Sequence, residues 1–282
     1  MTNGSPTGAR RRLGLRLRRL RDDVGITGEE AAAAVDRSAS WISRIESGQS
    51  GLRARELRDL LDLYRVDDDT QRADLEALAE TGRRRAWWSK YTESLPQPLV
   101  RYIGFEAEAR SIIVYQDTVV PGLLQTTEYM TEIHESAVPP LHPKVLKDRI
   151  EARQRRQQLL DTPGGPHLTA IVDEPVLRRV YGTTGCLQRQ LQHLLTVSER
   201  DSIDVRVVPF AATRIQLDHG FTLLRFDSAP PVAFLETIRG GFLEEGPDAD
   251  ETYGMIVDRL TEATLSAADS RSAMRRALRD LP

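Results

Sequence analysis

The stretch SASWISRIESGQSG, residues 38–51, sets serines and an arginine at the spacing of a short helix. Ser38 has the chemistry of an N-cap, Ile42 and Ile45 fall on one side, and Ala39, Ser40, Ser43 and Arg44 fall on the other. Gly48 ends the run. Outward hydroxyls and a guanidinium are groups that bind by hydrogen bonding. The question is whether this face reads a partner or is the polar outside of a compact packing unit.

Reactive constellations do not accompany it. His134, His142, His167, His193 and His219 show neither His-x-x-x-His nor His-Glu-x-x-His spacing, so surface or core roles are expected of them. Nucleophile elbows, phosphate-binding glycine loops and dinucleotide fingerprints are missing from the sequence. Cys186 is a single thiol without an identifiable base partner, which suits a structural role. The expectation is a protein that is not an enzyme, with no catalytic residues, no cofactor and no metal site.

With 282 residues, 40% hydrophobic and 29% charged, the chain has room for a small module and a medium one, each with a core. One cysteine excludes an intramolecular disulfide and a thiolate zinc site, which points to a reducing compartment. A bilayer-spanning apolar run is missing, and the polar start MTNGSPTGARRR lacks the centre of a secretory signal. A cytoplasmic chain without membrane attachment is expected.

The net charge of −3 hides an asymmetry. RRRLGLRLRRLR, residues 10–21, carries seven arginines and no acid. Residues 1–65 hold 13 basic and 9 acidic side chains, a net of +4, which leaves −7 for the remainder. A basic N-terminal module on an acidic body is the pattern expected when only one part meets phosphate.

Leu13, Leu17, Leu20 and Val24 form the stripe of a first helix that Gly25 can cap. Thr27 with Glu30 three residues on is a capping box opening a second helix, EEAAAAV, whose alanines permit close approach to a neighbour. The 38–48 helix follows. A fourth helix carries Leu57, Leu60, Leu61 and Tyr64 on one face, and DDDTQRADLEALAETG reads as a fifth. The resulting organisation is an all-α five-helix domain over 1–82, an arginine-, aromatic- and proline-bearing connector over 83–100, and an α+β domain over 101–282.

In that larger domain SIIVYQDTVV, HLTAIV, DVRVVPF, GFTLLRF and PVAFLET read as strands, set among helical runs. The three strand candidates between 203 and 237 lack long helices between them, so a mostly antiparallel sheet is expected. VPGLLQTTEYM and DEPVLRRVY each place a proline at a helix start with an apolar face behind, which suits a pocket wall or plain packing, with packing the default. Arg149, Arg153 and Arg156 share one helix face that suits an acidic partner, an anionic ligand or solvent, with solvent the default.

Helix, short turn and helix with an inward hydrophobic pair on the second is the helix-turn-helix arrangement. The stretch LRRLRDDVGITGEEAAAAVDRSASWISRIESG resembles the XRE, or phage-repressor, class of DNA-binding domains over residues 10 to 80. In that class the second helix of the motif enters the major groove. The resemblance makes Ala39, Ser40, Ser43 and Arg44 the base-facing candidates. Arg44 can engage guanine bidentately; a phosphate contact or a solvated charge is its alternative. It also implies phosphate contacts at Thr27, Gly28, Ser38, Arg53 and Arg55, and a structural ion pair between Arg21 and Glu46. Trp41 suits either the groove between helices or a sugar face, with core packing the commoner fate of a tryptophan. Many members of the class carry glutamine where this chain has Gly28, leaving only a backbone N–H there; the arginines at 10–12 offer compensation by counterion release.

The pieces WWSKY, YIGFEAEA, VPGLLQT, EARQRRQQLL, DEPVLRR, QLQHLL, VRVVPF and FTLLRF, in that order, resemble the C-terminal domain of actinomycete WhiJ-like regulators. That resemblance implies a role in development or specialised metabolism and a small BldB-like partner protein. The expectation is a sequence-specific transcription regulator that binds a double-stranded DNA operator as a homodimer, its C-terminal domain dimerising, sensing a small-molecule effector or binding a partner. The alternative is an antitoxin-like protein that sequesters the BldB-like partner and autoregulates its operon.

Overall fold

The computed structural model describes residues 5–212, 219–237 and 240–281. The chain divides into two compact units, Met1–Ser89 and Lys90–Pro282, with the division inside residues 83–100.

Unit 1 holds five helices: α1 Pro6–Asp23, α2 Gly28–Ala34, α3 Ala39–Glu46, α4 Ala54–Leu63 and α5 Asp69–Arg83. Local chemistry sets their ends. Ser5 accepts from the Gly8 amide and Pro6 takes the first turn, so α1 begins ahead of the arginine run. Gly25 (φ 74°) closes α1, donating to the Asp22 carbonyl, while Ile26 donates to Arg21. Thr27 and Glu30 form the capping box of α2, with the Thr27 amide donating to the Glu30 carboxylate at 2.7 Å. That hydrogen bond lowers the Glu30 pKa. Leu13, Leu17, Ile42, Ile45, Leu57 and Leu61 are all 3% exposed or less and share one core.

Arg11 is buried in α1 and its neighbours Arg10 and Arg12 are half-buried, so the exposed cations of this helix are Arg16, Arg18 and Arg19. The compensating role expected of residues 10–12 therefore has a better seat one to two turns further along, because the helix starts earlier than the leucine stripe does.

Unit 2 is built on one sheet of six strands: β1 Ser111–Gln116, β2 His167–Asp173, β3 Ile203–Val208, β4 Phe221–Arg225, β5 Val232–Leu235 and β6 Phe242–Glu245. Their spatial order is β3-β2-β1-β4-β5-β6. β1, β2 and β3 run parallel; β4, β5 and β6 add antiparallel. The sheet is mixed, which corrects the mostly antiparallel expectation. Helices α7 Thr127–Glu135 and α8 Pro143–Gln157 separate β1 from β2, and α9 Thr184–Val197 separates β2 from β3, and helical crossovers return strands in parallel. β3 sits at the far edge and not beside β4, so short sequence separation misled there.

Side-chain alternation gives the sheet two faces. Ile113, Tyr115, Phe221 and Leu223 pack against Tyr253 and Val257 of α10 Pro247–Ala263. On the opposite face α6 Gln97–Glu106 stacks Tyr102 on Phe234, centroids 4.5 Å apart. The last helix, α11 Ala267–Arg279, shields the β3 edge: the Val207 amide donates to the Ser270 hydroxyl, and Leu265 donates to the Val207 carbonyl.

VPGLLQT is a loop with one 3-10 turn at Gly122–Leu124, pinned by amide side chains. Gln125 donates to the Val120 carbonyl, Gln157 to those of Gly122 and Gln125, and Gln190 to that of Leu124. DEPVLRRVY is helical only over Glu174–Leu177. The arginine stripe of α8 departs from its solvent default. Arg156 is buried against Glu106 of α6, with Nε–Oε2 at 2.7 Å and Nη2–Oε1 at 2.8 Å, and the Tyr102 hydroxyl donates to the same carboxylate at 2.6 Å. Burial opposes the Arg156 charge, but Glu106 overcomes it and raises the pKa.

Candidate nucleic-acid interface

The turn between α2 and α3 is made by Val35–Ser38. Asp36 takes a left-handed conformation (φ 52°), and the Arg37 amide donates to the Ala32 carbonyl. Ala31 and Ala32 are buried, which lets α2 approach its neighbours closely. Ser38 caps α3, accepting from the Trp41 amide at 3.3 Å. Beyond α3, Gly48 (φ 68°) turns the chain, and the Arg44 carbonyl accepts from the Gln49 and Ser50 amides.

α3 is fixed from inside. Ile42 and Ile45 are 2% exposed and anchor it to the core. Gly14 of α1 lies so close that a β-carbon there would come within 2.4 Å of the Glu46 carbonyl oxygen and 2.5 Å of the Ile45 one. Two turns along α1, Arg21 grips Glu46 with Nε–Oε1 at 2.6 Å and Nη2–Oε2 at 3.0 Å, and Nη1 donates to the Ile26 carbonyl at 2.9 Å. Both side chains of the pair are 12% exposed. The bond to Glu46 raises the Arg21 pKa against the opposing effect of burial. Tyr64, beside this pair, has a buried hydroxyl with no hydrogen-bond partner among the described residues, and burial pushes its pKa up to about 12, with the Glu46 charge adding to it.

Ala39, Ser40, Ser43 and Arg44 are all exposed on the opposite side. Their availability differs. The Ser40 hydroxyl shares a hydrogen bond with the Ser38 hydroxyl at 3.0 Å, so two of the candidate contacts are already engaged with each other. The Ser43 hydroxyl and the Arg44 guanidinium make no hydrogen bond or ion pair among the described residues. Thr27 has its amide committed to Glu30, and Gly28 is half-buried, a β-carbon there standing 3.8 Å from Ile42 Cγ2. Arg53 is exposed and its amide donates to Glu56 at 3.0 Å; Arg55 is exposed with only a 4.0 Å approach to Asp59. The structure therefore gathers Ser43 and Arg44 on the outer face of α3 and leaves Arg53 and Arg55 at the start of α4.

Arg37 carries no local signal of its role in the sequence. Its Nη2 reaches Glu56 Oε1 at 2.5 Å, and its guanidinium lies 5.6 Å above the centre of the half-buried Trp41 ring. Glu56 thereby ties the turn, α3 and the start of α4 together. The partner is 19 residues away, so no local pattern announces it. Trp41 packs against the unit 1 core, which resolves its open reading in favour of the helix groove.

These helices define a helix-turn-helix unit, and residues 12–75 match the family described as a helix-turn-helix domain. Residues 99–276, more than half of the chain, match the family described as a domain of unknown function (DUF5753), and the protein belongs to that family. No curated protein and no solved structure matches the chain.

Among the described residues no helix is long and apolar enough to cross a membrane. Cys186 is buried, and burial raises its thiol pKa, followed by the nearby charges of Glu128 and Glu132.

Proposed function

We propose that the chain is a sequence-specific DNA-binding transcription regulator of the XRE type, in which α3 enters the major groove and Arg44 reads a base edge. The observation that carries this reading is the two-sidedness of α3: Ile42, Ile45 and the Gly14 contact fix its inner side, while Ser43 and Arg44 project from the outer side with no hydrogen bond or ion pair among the described residues. A guanidinium in that position can engage guanine O6 and N7 together, which a serine hydroxyl cannot imitate. In this reading the protein works by binding, and Cys186, buried with its thiol pKa raised, has a structural role rather than that of a thiolate nucleophile.

The finer reading is a WhiJ-like regulator acting as a homodimer. One strong base-reading side chain per recognition helix covers a half-site of a few base pairs, and two half-sites about a two-fold axis recover genome-scale specificity.

Genome-wide mapping of bound sites supplies the operator, and fluorescence anisotropy on that operator supplies the test. Arg44→Ala is expected to cost about 1–3 kcal/mol and to relax preference at one base position. Arg53→Ala is expected to weaken binding to every sequence and to flatten the salt slope by about 1. An unchanged base preference in Arg44→Ala would remove the base-reading role, and no enrichment of sites would remove DNA binding itself.

A further inference from the structure

Unit 2 contains a cavity of about 800 Å³, a size that accommodates a drug-like molecule. Its floor is the sheet face opposite α10: Val114, Thr222 and Phe234 stand in register across β1, β4 and β5, with Ile112 beside them. Its wall is α8, from which Arg149, Arg153 and Arg156 all reach the cavity, joined by His134 of α7. The same four side chains also line an adjoining recess of about 60 Å³.

The cavity's charges are unevenly paired: its acids are Asp117 and Glu236, and neither forms an ion pair with its arginines among the described residues. Glu106 accepts two hydrogen bonds from Arg156, beside the one from the Tyr102 hydroxyl, and so neutralises that one cation. Arg153 donates from Nη1 to Gln125 Oε1 at 2.6 Å, a neutral acceptor held in orientation by its own bond to the Val120 carbonyl. Among the described residues neither Arg149 nor Arg153 forms an ion pair. Arg149 Nε and His134 Nε2 are both buried with no hydrogen-bond partner among the described residues. Glu236 also lines the cavity, but it is exposed and forms no ion pair with either arginine.

Desolvation followed by the repulsion of Arg153 and Arg149 lowers the His134 pKa to about 4, so its ring is neutral at pH 7 and adds no third charge. Burial likewise lowers the Arg153 pKa, to about 10, against the opposing charge of Glu236. Guanidiniums without a paired carboxylate, facing a cavity floored by aliphatic and aromatic side chains, carry a desolvation cost. A bound anion removes that cost, and the planar fork of arginine matches carboxylate and phosphate oxygens.

We propose that unit 2 is the receptor for a small organic anion, a carboxylate or phosphate monoester carried on an apolar body. Its headgroup lies between Arg149, Arg153 and His134, and its body lies on Ile112, Val114 and Phe234. This site is independent of the DNA-binding reading, and its test involves no DNA.

Isothermal titration of the full chain with octanoate, octyl phosphate, octylamine and octanol separates the possibilities. Saturable one-site binding is expected for octanoate or octyl phosphate, and the tighter of the two identifies the headgroup. Octylamine is expected not to bind, and octanol to bind at least tenfold more weakly than the better anion, on the order of one lost charge-assisted contact. Arg149→Gln is expected to weaken that anion at least about tenfold, and Arg149→Lys, which keeps the charge but loses the fork, to restore part of it. Equal binding of anion and amine, no binding of either anion, or full affinity in a folded Arg149→Gln overturns the proposal. The wild-type comparison of anion with amine decides the matter even if a variant does not fold.

Discussion

Replacing Glu106 by alanine is expected to destabilise unit 2 by about 3–5 kcal/mol, the loss typical of removing one partner from a buried ion pair. The carboxylate is 1% exposed and Arg156 10%, so solvent cannot take over its role. It accepts two hydrogen bonds from Arg156 and one from the Tyr102 hydroxyl, and the substitution strands a buried guanidinium while removing an acceptor from a buried phenol. These losses overlap and do not simply add. Against a whole-domain stability of about 5–15 kcal/mol, the expected loss is a large share. Urea unfolding followed by far-ultraviolet circular dichroism measures it. Tryptophan emission follows unit 1 separately, since Trp41, Trp87 and Trp88 are the chain's tryptophans and all lie there. The double variant Glu106→Leu with Arg156→Met removes both charges and is expected to recover most of the loss. A single variant that loses under about 1 kcal/mol would show that the pair is solvated and not buried as the geometry has it.

What could be read from the sequence divides along the range of the interactions concerned. The ends of α2 and α3 depend on contacts within three residues, Thr27 with Glu30 and Ser38 with Trp41, and the sequence pattern locates both. Ile42 and Ile45 fix which side of α3 faces the core by helical periodicity alone. The α8 arginines show the limit. Their shared face was visible as a period, but its direction depends on Glu106, 50 residues earlier, and on the sheet floor contributed by three strands. A stripe of arginines reads as solvated until a buried carboxylate is known to face it. The sheet failed for a related reason: the helical runs between β1, β2 and β3 already required parallel crossovers, whereas proximity along the chain suggested that β3 pairs with β4.

The second large effect is expected at Gly14, which carries no polar group and lies in a leucine-rich helix where alanine is normally the better residue. On an exposed helix Gly→Ala gains about 0.5–1 kcal/mol. Here the new β-carbon would meet two backbone carbonyl oxygens of α3, at 2.4 and 2.5 Å, and backbone cannot rotate away as a side chain can. The only relief is to separate α1 from α3. A β-carbon at Gly48 would likewise lie 2.8 Å from the Arg11 Cα, so the two helices also meet closely at the end of α3. Separation also stretches the Arg21–Glu46 pair, whose Nε–Oε1 distance is 2.6 Å. Overpacking of this kind costs about 1–3 kcal/mol, and Gly14→Ala is expected at the upper end because both contacts are to backbone. The loss is read in the tryptophan-monitored unfolding of unit 1. Because α3 is displaced as a body, operator affinity is expected to fall with it, although Gly14 is not among the exposed residues of the DNA-facing side. Gly28→Ala is the matched control: its β-carbon has 3.8 Å to Ile42 Cγ2, and the substitution is expected to be neutral or to stabilise unit 1 by about 0.4–1 kcal/mol. If Gly14→Ala proved as stable as Gly28→Ala, the close crossing of α1 and α3 would not be what holds the recognition helix in place.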